Sequence, residues 1–131
     1  VKLVLEDELK TDIVTDAERL RIILRNVIGN SLKYSKESNP YVKCSLKKDN
    51  GYIFIYIIDN GIGIEKQHLT NIFNMFYKGS LKSTGSGLGL YIAKESVQTL
   101  KGTIEISSEE GKGTEVVIKL PELSLESIIT Q

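Results

Sequence analysis

The first long amphipathic segment of the chain covers residues 14–35, VTDAERLRIILRNVIGNSLKYS. Its apolar residues recur at three- and four-residue spacing, at Leu20, Ile23, Leu24, Val27 and Ile28. This spacing is typical of one face of an α-helix. Thr15, followed three residues later by Glu18, has the form of a capping box. The pattern predicts a helix that is capped by Thr15 and ended by the polar residues before Pro40.

The segments that follow this helix carry the signals of β-strands. Val42, Cys44 and Leu46 alternate with polar residues, which predicts a strand with one buried face. The sequence DNG at 49–51 then predicts a hairpin turn. The next strand, YIFIYIID at 52–59, is rich in β-branched and aromatic residues with little alternation, and this favours a central strand covered on much of both faces.

The second half of the chain predicts two more helices and a second hairpin. A short helix is expected over 65–73 and a longer one over 88–100. The longer helix has an apolar face formed by Leu90, Ala93, Val97 and Leu100. Gly102 is placed to end it in the left-handed conformation. The strands TIEISS and TEVVIKL flank the turn EEGKG, and Pro121 ends the second of them.

Strands and helices are grouped along the chain rather than strictly alternating, and this predicts the fold class. KLVL at 2–5 and DIV at 12–14 add two short strands. We expect an α+β fold, a two-layer α/β sandwich with a mixed, mainly antiparallel sheet and helices on one face. Residues 1–123 are predicted to form this domain and residues 124–131 a C-terminal tail. Because the chain begins at Val1 rather than Met, it is expected to be a fragment of a longer protein.

Charge and cysteine content restrict the partners and the compartment. Seventeen Lys and Arg residues balance seventeen Asp and Glu residues, so the chain has no overall attraction to nucleic acid or to an anionic membrane. No apolar run is long enough to cross a bilayer, and the single cysteine suits a reducing compartment. We expect a cytoplasmic domain with no nucleic-acid partner and no direct membrane contact, whether or not the parent protein is membrane-anchored.

Three polar residues of the first helix share one ridge beside its apolar stripe. At about 100° per residue, Asn26, Asn30 and Lys33 fall within an arc of roughly 60°. A solvated face is the simpler interpretation of such residues. However, helix interiors disfavour Asn, and an amide oxygen is a ligand for hard cations. The spacing therefore also predicts a ligand, and we name these three residues the polar ridge.

The sequence IIDNGIGI places Asp59 at the end of the predicted central strand, before Gly61 and Gly63. Asp-Asn-Gly is common turn chemistry, so one interpretation is a strand that ends in a turn. The other is a nucleotide site. An ionised carboxylate only accepts hydrogen bonds, so it would bind the exocyclic amino group of adenine and repel the carbonyl oxygen of guanine.

The sequence STGSGLGLYIAK places glycines at 85, 87 and 89, directly before the second long helix. It is neither the dinucleotide-binding fingerprint nor a P-loop, because it follows no strand and lacks Gly-Lys-Ser/Thr. Backbone N–H groups and the positive end of the helix dipole would nevertheless face a polyphosphate here. The segment is therefore predicted to close over the phosphates of a nucleotide.

Together these segments resemble the catalytic, ATP-binding domain of sensor histidine kinases, in the superfamily that includes type II topoisomerases, a heat-shock chaperone and mismatch-repair ATPases. NVIGNSLKYS is similar to the family's N box, DNGIGI to its first glycine box, IFNMFYKGS to its F box and GSGLGLYIAK to its second glycine box. The resemblance covers nearly the whole chain and implies the Bergerat-type ATP-binding fold.

The resemblance also implies roles for individual residues. Asn30 would bind Mg²⁺, with Asn26 and Lys33 toward the phosphates, and these three are the candidate catalytic residues. Tyr34 would lie against adenine, and Asp59 would bind its amino group. The remaining candidates for nucleotide binding are Gly61, Gly63, Ile64, Phe76, Lys78, Gly85, Ser86, Gly87, Leu88, Gly89 and Leu90.

A mobile lid is expected between the F box and Gly85. This lid is short, and Lys78 stands where the family often has arginine. A point charge there would hold phosphate less specifically than a guanidinium does. Phe73 and Phe76 flank the lid and are expected to be core residues, hinges or anchors. His68 lacks the sequence context of the family's phosphoacceptor and is expected to be a surface residue, while Cys44 is expected in the core.

The implied activity is transfer of the γ-phosphoryl group of Mg-ATP to a histidine on a separate helical dimerisation and phosphoacceptor domain of the parent protein. A response regulator receiver domain would act downstream. One alternative is a nucleotide-binding module of the same superfamily without kinase activity. Another is a hydrolytic ATPase, but those relatives carry a water-activating glutamate at the position of Asn26, and an amide cannot accept a proton.

Overall fold

A computed structural model describes residues 1–7, 12–74 and 88–123. Within them the chain forms one five-stranded sheet, in the order β1-β2-β3-β5-β4. The strands are β1 (Lys2–Asp7), β2 (Tyr41–Asp49), β3 (Tyr52–Asp59), β4 (Thr103–Glu109) and β5 (Gly113–Pro121). The helices are α1 (Ala17–Lys33), α2 (Lys66–Leu69) and α3 (Gly89–Thr99). The pair β1–β2 is parallel and the other strand pairs are antiparallel, which confirms the predicted mixed sheet.

The core lies between the sheet and the two long helices. Among the described residues it contains 14 buried apolar side chains, which are Ile23, Val27, Val42, Cys44, Ile53, Ile55, Ile57, Ile72, Leu90, Ala93, Val97, Val116, Ile118 and Leu120. The buried residues of β3 alternate, so they all face the helix side, whereas Phe54 and Tyr56 on the other face are half-buried. The central position predicted for this strand is confirmed, but only one of its faces is fully covered.

The first hairpin forms as predicted. Asn50 and Gly51 connect β2 to β3, with φ values of 50° and 80°. Two successive residues with positive φ are the signature of a type I′ turn, whose twist matches that of the flanking strands. This turn places Asp59 opposite Val42 on β2.

The capping residue predicted for α1 is wrong by one position. Asp16, not Thr15, precedes the helix in an extended conformation, and its carboxylate accepts a hydrogen bond from the Arg19 backbone N–H at 3.1 Å. The backbone carbonyl of Asp16 also accepts the first helical bond, from Leu20 N. An anionic cap is favourable at the positive end of the helix dipole, and this explains the choice between two adjacent capping residues.

The end of α3 also differs from the prediction. Lys101, rather than Gly102, has the left-handed conformation, with φ of 62°. The Lys101 N–H donates to Gln98 O and the Gly102 N–H to Val97 O, both at 2.9 Å, which is a Schellman motif. Gly102 is required for a different reason, because a Cβ there would collide with the backbone carbonyl of Lys119 on β5.

Two further predictions are corrected. Residues 12–14 are not a strand, since Val14 N bonds a side-chain oxygen of Glu122 and Val14 O accepts from Leu123 N, and these two bonds form no ladder. The helix predicted over 65–73 is limited to α2, and hydrogen-bonded turns follow it. Among the described residues, no helix combines the length and the apolar composition needed to cross a membrane.

Candidate functional site

Asp59 ends the central strand and is buried, with 9% of its surface exposed. Its Oδ1 atom accepts a hydrogen bond from Gly61 N at 2.9 Å. Within the described residues the carboxylate accepts no other hydrogen bond, so Oδ2 can still accept one from a ligand. A buried carboxylate held at one oxygen by a backbone donor suits recognition of a ligand N–H group.

Residues 60–64, which we name the glycine loop, pack against α1 and against the β4–β5 hairpin. Ile62 N donates to the backbone carbonyl of Tyr34 at 3.1 Å, and a Cβ on Gly61 would collide with that same carbonyl. Gly63 has φ of 74°, and a Cβ there would collide with the carbonyl of Glu109. Both glycines are therefore needed for close approach of two backbones.

The β4–β5 hairpin holds the other side of the glycine loop. Gly111 N donates to Ile62 O at 2.7 Å, and Ile64 N donates to the hydroxyl oxygen of Ser108 at 2.8 Å. Gly113 has φ of 131°, and a Cβ there would collide with the carbonyl of Asp59. Sequence reasoning missed Ser108 and Gly113, although a second glycine after the turn glycine of EEGKG was an available signal.

Asn60, between the strand and the first glycine, has a structural role. Its amide oxygen accepts from Tyr41 N at 2.8 Å, and its amide nitrogen donates to Asn39 O at 3.0 Å. Both bonds connect the glycine loop to the segment that enters β2. Asn60 therefore fixes where the loop leaves the sheet, although the sequence analysis assigned it no role.

The polar ridge lies on α1 beside its buried stripe, as the helical spacing predicted. Asn26 and Asn30 are half-buried and Lys33 is exposed. The Asn26 amide nitrogen donates to Ile22 O at 2.8 Å, and its amide oxygen lies 3.5 Å from a Cβ built on Gly89. The ridge therefore borders the beginning of α3. At its other end, Lys33 Nζ lies 5.5 Å from the centre of the Tyr34 ring.

The first turn of α3 lies close to the polar ridge, at Gly89 and Asn26, and the first N–H groups of a helix have no partner within it. Leu88 occupies the N-cap position and makes no side-chain capping bond within the described residues. The side chain of Leu90 is buried in the core, so only its backbone could reach a ligand. The candidates Leu88, Gly89 and Leu90 thus lie where the helix dipole is positive.

Several predicted site residues lie outside the described residues, namely Phe76, Lys78, Gly85, Ser86 and Gly87. The predicted lid lies there as well. Phe73, which precedes the predicted lid in the sequence, is half-buried, and Lys94 Nζ lies 5.6 Å from the centre of its ring. His68 is half-buried, with 27% of its side-chain surface exposed, and its Nε2 atom lies 3.8 Å from a carboxylate oxygen of Glu65. Cys44 is in the core as expected, and burial raises the pKa of its thiol.

Comparison with known proteins identifies the family. A family model described as histidine kinase-, DNA gyrase B-, and HSP90-like ATPase matches residues 15–124. The autoinducer 2 sensor kinase/phosphatase LuxQ of Vibrio parahaemolyticus is 34% identical over 139 residues, which cover 98% of this chain and 16% of LuxQ. The sensor protein SrrB of Staphylococcus aureus is 36% identical over 110 residues, which cover 81% of this chain and 19% of SrrB. The chain therefore spans less than a fifth of either relative.

Solved structures agree in fold. The mycobacterial sensor histidine kinase MprB matches with a TM-score of 0.79 and 26% identity, over 95% of this chain and 83% of that one. Full-length ShkA in complex with AMPPNP matches with a TM-score of 0.82 and 25% identity, over 94% of this chain and 26% of that one. The chain therefore belongs to the histidine kinase-, DNA gyrase B- and HSP90-like ATPase family.

Proposed function

We propose that the chain binds ATP together with Mg²⁺ and presents the γ-phosphoryl group to a histidine on a separate helical domain of its parent protein. The observation that carries this proposal is the buried Asp59 carboxylate, which Gly61 N orients through a hydrogen bond. The glycine loop beside it is tightly packed, because a Cβ on Gly61 or Gly63 would collide with a backbone carbonyl. Sensor kinase relatives, and the AMPPNP complex of ShkA, support a nucleotide as the ligand.

Adenine specificity follows from the chemistry of Asp59. Its carboxylate would accept a hydrogen bond from the adenine amino group, with the Tyr34 ring beside the base. Guanine would place a carbonyl oxygen against the same acceptor in a desolvated pocket, and such a mismatch typically costs several kcal/mol. Gly61, Gly63 and Ile64 would let the base approach the backbone.

The polar ridge is suited to a metal ion that binds as a complex with the nucleotide. The described residues contain no group of three or more His, Cys, Asp or Glu side chains placed to hold a metal ion. Mg²⁺ commonly takes only one or two protein ligands and completes its shell with phosphate oxygens and water. The half-buried Asn30 amide would supply such a ligand, while Asn26 and Lys33 would contact phosphate oxygens.

The ridge positions phosphates but offers no base to activate water. The nitrogen of Asn26 already donates to Ile22 O, and an amide oxygen does not take up a proton under these conditions. Transfer would break the bond between the γ-phosphorus and the β,γ-bridging oxygen and form a bond to the histidine nitrogen, with ADP as the leaving group. Catalysis of this kind depends on alignment and charge neutralisation.

The second glycine box would complete the phosphate site, with Gly85, Ser86 and Gly87 contributing backbone donors ahead of Leu88, Gly89 and Leu90. Phe76 and Lys78 would border the nucleotide from the lid. We further propose that residues 1–123 form the functional domain and that it acts in the cytoplasm. A response regulator receiver domain would accept the phosphoryl group from the phosphohistidine.

Incubation of the chain with labelled ATP tests this function. Alone, the chain is expected to bind ATP with negligible hydrolysis and without labelling itself on His68. Addition of the parent protein's helical hairpin, carrying a histidine followed by an acidic residue, is expected to produce an acid-labile phosphohistidine on the hairpin. Hydrolysis by the isolated chain at several turnovers per second, or an unlabelled hairpin, would contradict the proposal.

A further inference from the structure

Ser108 on β4 connects three separate segments of the chain through one hydroxyl group. Its oxygen accepts a hydrogen bond from Ile64 N at 2.8 Å and donates one to Gly113 O, also at 2.8 Å. It lies 2.8 Å from the hydroxyl oxygen of Thr114 as well. A serine hydroxyl has one proton and two lone pairs. Because the proton is directed at Gly113 O, the Thr114 hydroxyl must be the donor to Ser108, and the bonding capacity of Ser108 is filled.

Sheet register places these contacts in one row with Asp59. Ser108 lies directly opposite Thr114 on β5, and Thr114 lies directly opposite Asp59 on β3. Residues directly opposite one another in an antiparallel pair are on the same face of the sheet. The three side chains therefore lie side by side on the face that carries α1 and α3.

The glycine loop is otherwise held mainly by backbone bonds, from Ile62 N to Tyr34 O and from Gly111 N to Ile62 O. The bond from Gly61 N to Asp59 Oδ1 belongs to the proposed adenine contact itself. The Asn60 side chain anchors the loop at the end next to Asp59, and the Ser108 hydroxyl holds the other end, at Ile64. A substitution of Ser108 can change the position of the loop while the contacting residues stay intact.

We propose that Ser108 is a positioning residue for the nucleotide site, which holds the glycine loop against the β4–β5 hairpin so that Asp59 and Ile64 face the adenine ring. This inference rests on the proposed function. Without the Ser108 hydroxyl, Ile64 N and the Thr114 hydroxyl lose their partner, and the loop populates other conformations. The apparent affinity for ATP is then the intrinsic affinity multiplied by the fraction of molecules whose loop is in the binding-competent conformation.

The test compares Ser108→Ala with Ser108→Thr, which keeps the hydroxyl, and with Ser107→Ala. Ser107 is the matched control because it is the neighbouring serine, is exposed and faces the other side of the sheet. Calorimetric titration with Mg-ATP, at a temperature where each variant is folded, is expected to show about tenfold weaker binding for Ser108→Ala, the scale of one lost buried hydrogen bond. Ser108→Thr is expected to bind near the wild-type level and Ser107→Ala at that level.

A positioning role makes a second prediction that a purely structural role does not. Hydrogen exchange at Ile64 N is expected to accelerate in Ser108→Ala, while exchange at the β3 amides of residues 53–57 stays unchanged. If Ser108→Ala does not fold, Ser108→Cys replaces it, since a thiol is a longer and weaker hydrogen-bonding group. Wild-type affinity in the Ala or Cys variant, or equal acceleration across β3, would overturn the inference. Failure of the wild-type chain to bind ATP would instead overturn the proposed function on which it rests.

Discussion

The two halves of the proposed site are built in opposite ways. The surroundings of the glycine loop have no spare volume, since a Cβ on Gly61, on Gly63 or on the neighbouring Gly113 of β5 would overlap a backbone carbonyl. The polar ridge has room, because a Cβ on Gly89 would meet only ordinary contacts at 3.5 Å and one on Gly29 would meet none within 4 Å. Substitutions in the loop are therefore expected to change nucleotide binding and folding together. The ridge residues lie beside the buried stripe of α1, outside the fully buried core, so their substitution is expected to change binding with little effect on folding.

The largest effect is expected from Gly113→Ala, in the crowded half of the site. The substitution forces a Cβ into the Asp59 carbonyl at φ of 131°. We expect a loss of about 3 kcal/mol or more in the free energy of unfolding, measured by urea denaturation, because backbone must move. Gly111→Ala is the control, with φ of 84° but nothing within 4 Å. Its free energy of unfolding is expected to fall by only about 1–2 kcal/mol, the cost of placing a non-glycine residue in the left-handed conformation. Equal losses of stability in the two variants would refute the argument from packing.

Asp59→Asn separates binding from folding within the loop. The new amide oxygen can still accept from Gly61 N, so the melting temperature is expected to change little. ATP affinity is expected to fall by about 1.5–3 kcal/mol, the value of a hydrogen bond to a charged group, with a smaller preference for ATP over GTP in calorimetric titrations. Equal wild-type affinities for ATP and GTP would contradict the assignment of Asp59 to adenine.

Asn30→Ala tests the ridge, where function is expected to be separable from stability. We expect the variant to lose more affinity for ATP with Mg²⁺ present than with EDTA, by about 1 kcal/mol, the scale of one lost polar contact. Stability is expected to hold or rise slightly, since Ala favours a helix more than Asn does. Arg25→Ala is the control on another side of α1. The same loss of affinity with and without metal would place Asn30 away from Mg²⁺.

The smallest effect is expected from Gly29→Ala, a gain rather than a loss. Gly29 is exposed in the middle of α1 with open space around its Cα atom. Replacement of a mid-helix glycine by alanine is expected to raise the free energy of unfolding by about 0.5–1 kcal/mol, with ATP affinity unchanged. A loss of stability in a thermal melt would show that the ridge side of α1 is more crowded than the glycine contacts indicate.

Local patterns were sufficient to predict much of this fold. The α1 helix, the DNG turn and β3 at 52–59 follow from periodicity and turn chemistry, which depend on residues close together in sequence. The alignment of the polar ridge follows from the helix repeat alone. Asp59 was identified by its place at the end of an apolar strand, and the structure buries it there.

Contacts between distant segments decided the rest. Gly102 is required because a Cβ there would collide with the carbonyl of Lys119, and Gly113 because a Cβ would collide with that of Asp59. Ser108 matters because its hydroxyl accepts a hydrogen bond from Ile64 N, 44 residues away. A sequence pattern records a residue's own conformational preferences, whereas the absence of room for a Cβ, or the partner of a hydroxyl, exists only after the sheet has brought separate strands together.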